Sequence, residues 1–283
     1  MTVNPMTGLT AIANPRWRLA AADPLLAATD ALATLNTPQQ LLSAGKAVAS
    51  SRFSRVSQGL LALDSQPPTA VYLKEFIDRG PAETLKNLFR PHRALRALEA
   101  ERQLAAAGFK VATTLVIGWQ QRLGVKYRFF TVTRDLGELI DLYQCARQLQ
   151  GAALEHKRRW LRAVADAVAQ LHREGFIHGD LRPGNLLVGE QGGRTVCAWL
   201  DNERTRRFAT LPERLRLKNL VQLNMLLSPA IGRRERLCFL LAYCRHFAGL
   251  DCRTLCRQVE DRTRQRLHTL VARGRLDPGE VWL

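Results

Sequence analysis

Apolar residues recur at spacings of three and four from Lys157 to Glu174, at Leu161, Val164, Val168 and Leu171, and the run closes on Gly175. That periodicity predicts an amphipathic helix ended by a C-terminal glycine. Residues 94–107, closed by Gly108, and residues 215–227, 233–247 and 252–273 carry the same helical period. Elsewhere the pattern is strand-like: Phe53 to Val56, Leu60 to Leu63, and Ala70 to Phe76 after a turn at Gln66-Pro67-Pro68. Residues 115–117 and 127–132 read as two more strands around a turn at 120–124. Leu186-Leu187-Val188 and Val196 to Leu200 bracket Glu190-Gln191-Gly192-Gly193 as a β-hairpin. Residues 1–50, with Pro at 5, 15, 24 and 38, read as short helices and loops without chemistry. The expected architecture is α+β, strand-rich ahead of helix-rich, with residues 1–51 as an N-terminal extension.

A chain of 283 residues with 46% hydrophobic content can build a substantial core. Its net charge of +17 and pI near 10.6 require basic surface suited to phosphates, anionic lipid or nucleic acid. No aromatic-basic signature supports the nucleic-acid reading, so no nucleic-acid partner is expected. The six cysteines include no C-x-x-C pair. Cys252 and Cys256, one helical turn apart, leave zinc with His246 as the minor alternative to idle thiols in a reducing compartment. The first thirty residues lack a continuous apolar signal region, and no stretch approaches the roughly 18 apolar residues of a membrane span. A cytoplasmic protein with peripheral membrane contact is expected.

The chemistry concentrates in His178-Gly179-Asp180-Leu181-Arg182-Pro183-Gly184-Asn185, followed by Trp199-Leu200-Asp201. An aspartate, an asparagine five positions on and a second aspartate after an apolar hairpin suit phosphoryl transfer to a hydroxyl. Asp180 meets the acceptor O–H, while Asn185 and Asp201 hold magnesium against nucleotide phosphates. Singly, each residue is as well explained as a turn cap or a solvated strand end.

The spacing H-x-D-x-x-x-x-N resembles the catalytic loop of the protein-kinase-like fold, with Asp201 in the place of the metal-binding aspartate. That resemblance implies a bilobal protein with a small antiparallel-sheet N-lobe (52–134) and a mainly helical C-lobe (135–283). It assigns Lys74, in the strand Val71-Tyr72-Leu73-Lys74, to the nucleotide phosphates. It also implies a helical glutamate paired with Lys74, and Glu101 is chosen over Glu99 because it shares the stripe of Leu104. Thr131 to Arg134 would be the hinge that binds adenine, and Arg182 would neutralise charge on the transferring group. The glycine-rich phosphate loop is missing, only Gly59 lying in the preceding hairpin. Gly179 and Asn202-Glu203 replace the residues that serve activation-loop regulation in protein kinases, which favours a small or lipid-linked acceptor.

Lys86-Asn87-Leu88-Phe89-Arg90 after the lysine strand, Thr133 to Leu136 and Arg216 to Leu220 make the chain similar to the lipopolysaccharide core heptose/Kdo kinase family over residues 52–245. The position of that family's helical glutamate falls here on Ala97. The resemblance implies ATP- and Mg2+-dependent phosphorylation of a heptose or Kdo hydroxyl of lipopolysaccharide core, on an anionic membrane surface at the cytoplasmic face of the inner membrane. Arg204, Arg206, Arg207, Arg214, Arg216 and Lys218, with Arg90, Arg93 and Arg96, would suit an anionic acceptor. A kinase of a soluble alcohol and a non-catalytic kinase-like module are the competing readings.

Overall fold

Period-two patterning in the first half of the chain resolves into one antiparallel sheet. The computed structural model describes residues 6, 8–22, 24–48, 50, 52–63, 66–77, 80, 90–122 and 125–277. It divides into two units, residues 1–103 with 112–137, and residues 104–111 with 138–283.

The first unit holds seven strands: β1 (Thr10–Ile12), β2 (Arg18–Ala21), β3 (Ser43–Val48), β4 (Ser54–Leu63), β5 (Gln66–Phe76), β7 (Thr114–Arg122) and β8 (Val125–Arg134). Their order is β1-β2-β7-β8-β5-β4-β3, antiparallel throughout. Alternation decides the faces. Val71 and Leu73 of β5, with Phe130 and Val132 of β8, point into one core with Trp17, Leu26, Leu32, Leu35 and Leu41. Phe76 and Phe129 point the other way, against Ala94, Leu95 and Leu98 of helix α3 (Arg93–Ala106). Residues 1–51 are therefore no appended extension of helices and loops. They supply β1, β2 and β3, and the short helices α1 (Pro24–Ala27) and α2 (Asp30–Ala33) lie among the residues that cover one sheet face. Burying each leucine is worth about 1.5–3 kcal/mol, which is why so irregular a segment holds its place. The expected turn at residues 66–68 is instead the start of β5, and Lys86 to Phe89 of the basic segment lie outside the described residues.

Helix α3 ends as its glycine predicts: Gly108 takes φ +83° and the Phe109 N–H donates to the Leu104 carbonyl at 2.9 Å. The chain then adds β6 (Lys110–Val111) to the second unit, parallel to β12 (Arg194–Trp199). β12 forms a hairpin with β11 (Leu186–Gln191), which also pairs with β9 (Ile140–Asp141). Gly192 and Gly193, at φ +58° and +73°, supply the left-handed turn that two-residue hairpins favour. Helices α4 (Leu142–Gln148), α5 (Leu154–Arg173), α6 (Glu213–Asn224), α7 (Arg233–Cys244) and α8 (Cys252–Ala272) surround a core that includes Trp160, Val168, Leu220, Tyr243 and Val259. No helix of the described residues is long and apolar enough to cross a membrane.

Candidate active site

The loop from His178 to Asn185 leaves β10 (Phe176–Ile177), which pairs with β13 (Arg206–Arg207), and enters the β11–β12 hairpin. Leu186 is the register partner of Trp199, and the Leu200 N–H donates to the Asn185 carbonyl at 3.0 Å. The hairpin thus brings Asn185 beside Leu200, one residue from Asp201. Asp201 adopts φ 55° and ψ 50°, a left-handed conformation that non-glycine residues hold only where their surroundings impose it. Gly179 has φ +76°, and a Cβ there would lie 2.4 Å from the Arg204 carbonyl oxygen. Glycine is needed at this position for both reasons, so no arginine can stand there.

Within the loop, Asp180 is held through Oδ1, which accepts from Arg182 Nε at 2.9 Å and from Gln222 Nε2 at 3.0 Å. Its carbonyl accepts from the Arg182 N–H and from Asn185 Nδ2, each at 2.8 Å. With Nδ2 so engaged, Asn185 presents Oδ1, which makes no hydrogen bond among the described residues. Oxygen donors are what magnesium takes, so the Asn185 amide and the Asp201 carboxylate fit that ion. His178 is fully buried and its Nε2–H donates to the Leu200 carbonyl at 2.8 Å. Burial lowers its pKa against the opposing pull of that bond and of Asp201 and Asp180, so a neutral imidazole braces the loop.

A buried chain of polar side chains runs to Asp180 from behind. His172 Nδ1 meets the Tyr243 hydroxyl at 2.8 Å, and His172 Nε2 meets Asn219 Oδ1 at 3.2 Å. Asn219 Nδ2 donates to Gln222 Oε1 at 3.3 Å, and Gln222 Nε2 donates to Asp180. Two backbone donors fix the amide orientations, since the His178 N–H points at Asn219 Oδ1 and the Leu181 N–H at Gln222 Oε1. Every link then donates toward Asp180: Tyr243 O–H, His172 Nε2–H, Asn219 N–H and Gln222 N–H. Burial drives the His172 pKa down to about 4, against the Asn219 bond, so the neutral imidazole this chain requires is the form present near neutral pH. Lys218, on the same helix, donates to the Gly179 carbonyl at 3.1 Å. Sequence reasoning missed Gln222 and His172, because a polar residue on a helix is indistinguishable from a solvated one until its neighbours are known.

In the first unit, Lys74 lies in β5 opposite Thr131 of β8, with its Nζ 5.2 Å from the centroid of the Phe76 ring. Thr131 is buried inside β8 and flanked by β5 and β7, so its peptide groups belong to the sheet and do not form an open hinge. The expected Lys74–Glu101 pair is not formed. Glu101 Oε1 accepts from the Thr114 N–H at 2.7 Å and Oε2 from the Thr114 hydroxyl, and no ion pair joins Glu101 to Lys74 among the described residues. Burial raises the Glu101 pKa while the two Thr114 bonds oppose it. Glu101 therefore ties α3 to the start of β7.

Two expected acceptor-binding arginines are structural instead. Arg93 is buried and donates to the carbonyls of Phe53 and Ile77. Arg216 is buried, pairs with Glu213 and lies over the Phe247 ring. His246 pairs with Asp166 at 2.7 Å, and no group of three or more His, Cys, Asp or Glu side chains able to hold a metal occurs among the described residues.

The model of the lipopolysaccharide kinase (Kdo/WaaP) family matches residues 70–243. Over 108 residues the chain is 32% identical to CBL-interacting protein kinase 16 of Oryza sativa subsp. japonica, covering 38% of this chain and 21% of that protein. Over 58 residues it is 38% identical to cyclin-dependent kinase F-1 of the same organism, covering 20% and 12%. The chain thus spans about a fifth or less of these curated relatives. A solved structure of WaaP in complex with acyl carrier protein shares the fold, with a TM-score of 0.56 and 22% identity over 81% of this chain and 89% of that one. Since the family match takes in more than half of the 283 residues, the chain belongs to the lipopolysaccharide kinase (Kdo/WaaP) family.

Proposed function

We propose that this protein transfers the γ-phosphoryl group of ATP to a heptose or Kdo hydroxyl of the lipopolysaccharide inner core, its two units serving as the small and large lobes of a kinase. The observation that carries this reading is the fixed carboxylate of Asp180, oriented through Oδ1 by Arg182 and Gln222 in a family of lipopolysaccharide kinases. Asp180 receives the acceptor's hydroxyl proton as the new O–P bond forms, and the leaving group is ADP. Arg182, with its side chain 62% exposed, balances charge on the transferring group. Lys74 contacts the nucleotide phosphates. Magnesium bound by Asn185 and Asp201 would offset the charge of those phosphates.

Peripheral attachment to an anionic membrane, at the cytoplasmic face of the inner membrane, is part of the proposal. It is supported by a face on which Leu154 of α5 and Leu237 and Leu241 of α7 are 52%, 49% and 46% exposed. Arg158, Arg162, Arg234 and Arg245 border the same groove. Lys157 lines it too and Glu235 is its one acidic residue among those described, a cationic excess around exposed leucines that suits an anionic bilayer surface.

The test is transfer from labelled ATP to purified core oligosaccharide. Asp180→Asn should keep magnesium-ATP binding and lower kcat by a factor on the order of 10³ or more, whereas Asp201→Ala should lose metal-dependent nucleotide binding. Equal activity of Asp180→Asn and wild type would overturn the assignment.

A further inference from the structure

We propose that the acceptor's anionic groups are bound by Arg266 and Arg275, in a pocket beside Asp180 whose outer wall is the C-terminal helix. This inference rests on the proposed sugar-kinase reading and adds the residues that recognise the acceptor.

The pocket has a volume of about 590 Å3, within the range of small-molecule sites, and Arg182 and Gln222 form its inner wall. Those two side chains donate to Asp180 Oδ1, so a molecule seated there lies next to the proposed base. Tyr143 borders it and is 41% exposed; a Cβ on Gly184 of the catalytic loop would come within 3.7 Å of its ring. An aromatic ring at that place offers a flat apolar surface to the C–H face of a sugar.

The charge on the wall selects the ligand. Arg182, Arg266 and Arg275 line the pocket and, among the described residues, no Asp or Glu does. Arg266 lies on α8, and the chain doubles back after it. Gly274 takes φ +60° and the Arg275 N–H donates to the Leu270 carbonyl at 2.9 Å, which returns Arg275 to the pocket edge. Neither the Arg266 nor the Arg275 side chain has a carboxylate partner among the described residues. Two unpaired guanidiniums suit bidentate binding of a phosphate or a sugar carboxylate, and they repel an amino alcohol. The cluster expected from the sequence is more committed: Arg207 donates to the Glu174 carbonyl at 3.1 Å and pairs with its carboxylate, and it also covers the Phe176 ring.

The experiment uses the full chain and core oligosaccharide, intact, phosphatase-treated or carboxyl-reduced, and measures direct binding without ATP as well as transfer with it. The double variant R266Q/R275Q should weaken acceptor binding and raise its KM by about 10- to 100-fold, leaving the KM for ATP and kcat within about twofold. R206Q/R207Q should change the acceptor KM far less. Loss of wild-type affinity after phosphatase treatment assigns the pocket to a phosphate, and loss after carboxyl reduction assigns it to a carboxylate. The proposal is overturned if R266Q/R275Q binds the intact oligosaccharide as tightly as wild type, if both KM values rise together, or if wild type does not bind the oligosaccharide. Binding that depends on Arg266 and Arg275 without any transfer would leave the pocket standing and remove the kinase reading.

Discussion

Gln222→Glu isolates the contact that orients Asp180. It keeps the side-chain length and the Oε1 acceptor for the Leu181 N–H, but replaces the N–H that lies 3.0 Å from Asp180 Oδ1 with a carboxylate oxygen. Two unit charges 3.0 Å apart repel by about 5–6 kcal/mol at an effective dielectric near 20. The Arg182 guanidinium 2.9 Å from the same oxygen, with the little water that reaches a side chain 14% exposed, relieves part of this. With roughly half remaining, ~3 kcal/mol, the pair keeps a shared proton about two pH units further up the scale. Transfer that needs an ionised Asp180 then survives only at higher pH. The acid limb of the kcat/KM profile for the acceptor should move up by about two units, with ATP saturating throughout. Gln222→Met is the uncharged control. It leaves the Leu181 N–H and Asn219 Nδ2 without their acceptor, costing about 1–3 kcal/mol each in denaturant stability, and lowers kcat without moving the limb. A Gln222→Glu enzyme whose acid limb coincides with that of wild type would refute the claim that this amide acts on Asp180.

Gly179→Ala should destabilise the protein by about 3 kcal/mol or more, through a left-handed backbone and a clash with the Arg204 carbonyl; a thermal midpoint unchanged within a degree would contradict it. His172 is held neutral when folded, with a pKa near 4 against 6.5 when unfolded, so the unfolded chain binds the extra proton between those values. Stability should therefore fall as pH drops from 6.5 to 4, by up to about 3 kcal/mol, and His172→Gln should flatten that slope in urea titrations. Leu237→Ser with Leu241→Ser should reduce co-sedimentation with anionic vesicles several-fold while sparing transfer to soluble oligosaccharide, and equal sedimentation would remove that face from the membrane reading.

Local pattern carried the second unit well. The apolar period of α5, its closing Gly175 and the Gly192-Gly193 turn are properties of neighbouring residues, and the hairpin that juxtaposes Asn185 and Leu200 follows from them. The first unit was harder: β2 is short and its partner remote, Arg18 pairing with Trp119, and all six residues of β3 are exposed, so it carries no apolar alternation. Glu101 shows the limit of helical-stripe reasoning. The stripe put it on the side of Leu104, yet which inward group it meets depended on Thr114, reached only after the chain turns at Gly108. Arg216 and Arg93 misled for a related reason: composition counts a guanidinium as surface charge even when carbonyls and an aromatic ring have taken it into the interior.

The placement of β1, β2 and β3 has a consequence for how the chain reaches its native state. Strands β1, β2 and β3 precede the rest of the first sheet in the sequence and end up on both its flanks, where β3 can pair at once with the neighbouring β4 whereas β2 must wait for β7. The β2–β7 pairing, which joins Arg18 to Trp119, spans a long stretch of sequence and forms slowly, so the β1–β2 flank should close late. Until then β7 presents an open hydrogen-bonding edge, the usual template for misassociation. Strands β1 and β2 thus act as edge guards that dock late, and recombinant versions that omit residues 10–21 should accumulate as inclusion bodies even with every candidate site residue present.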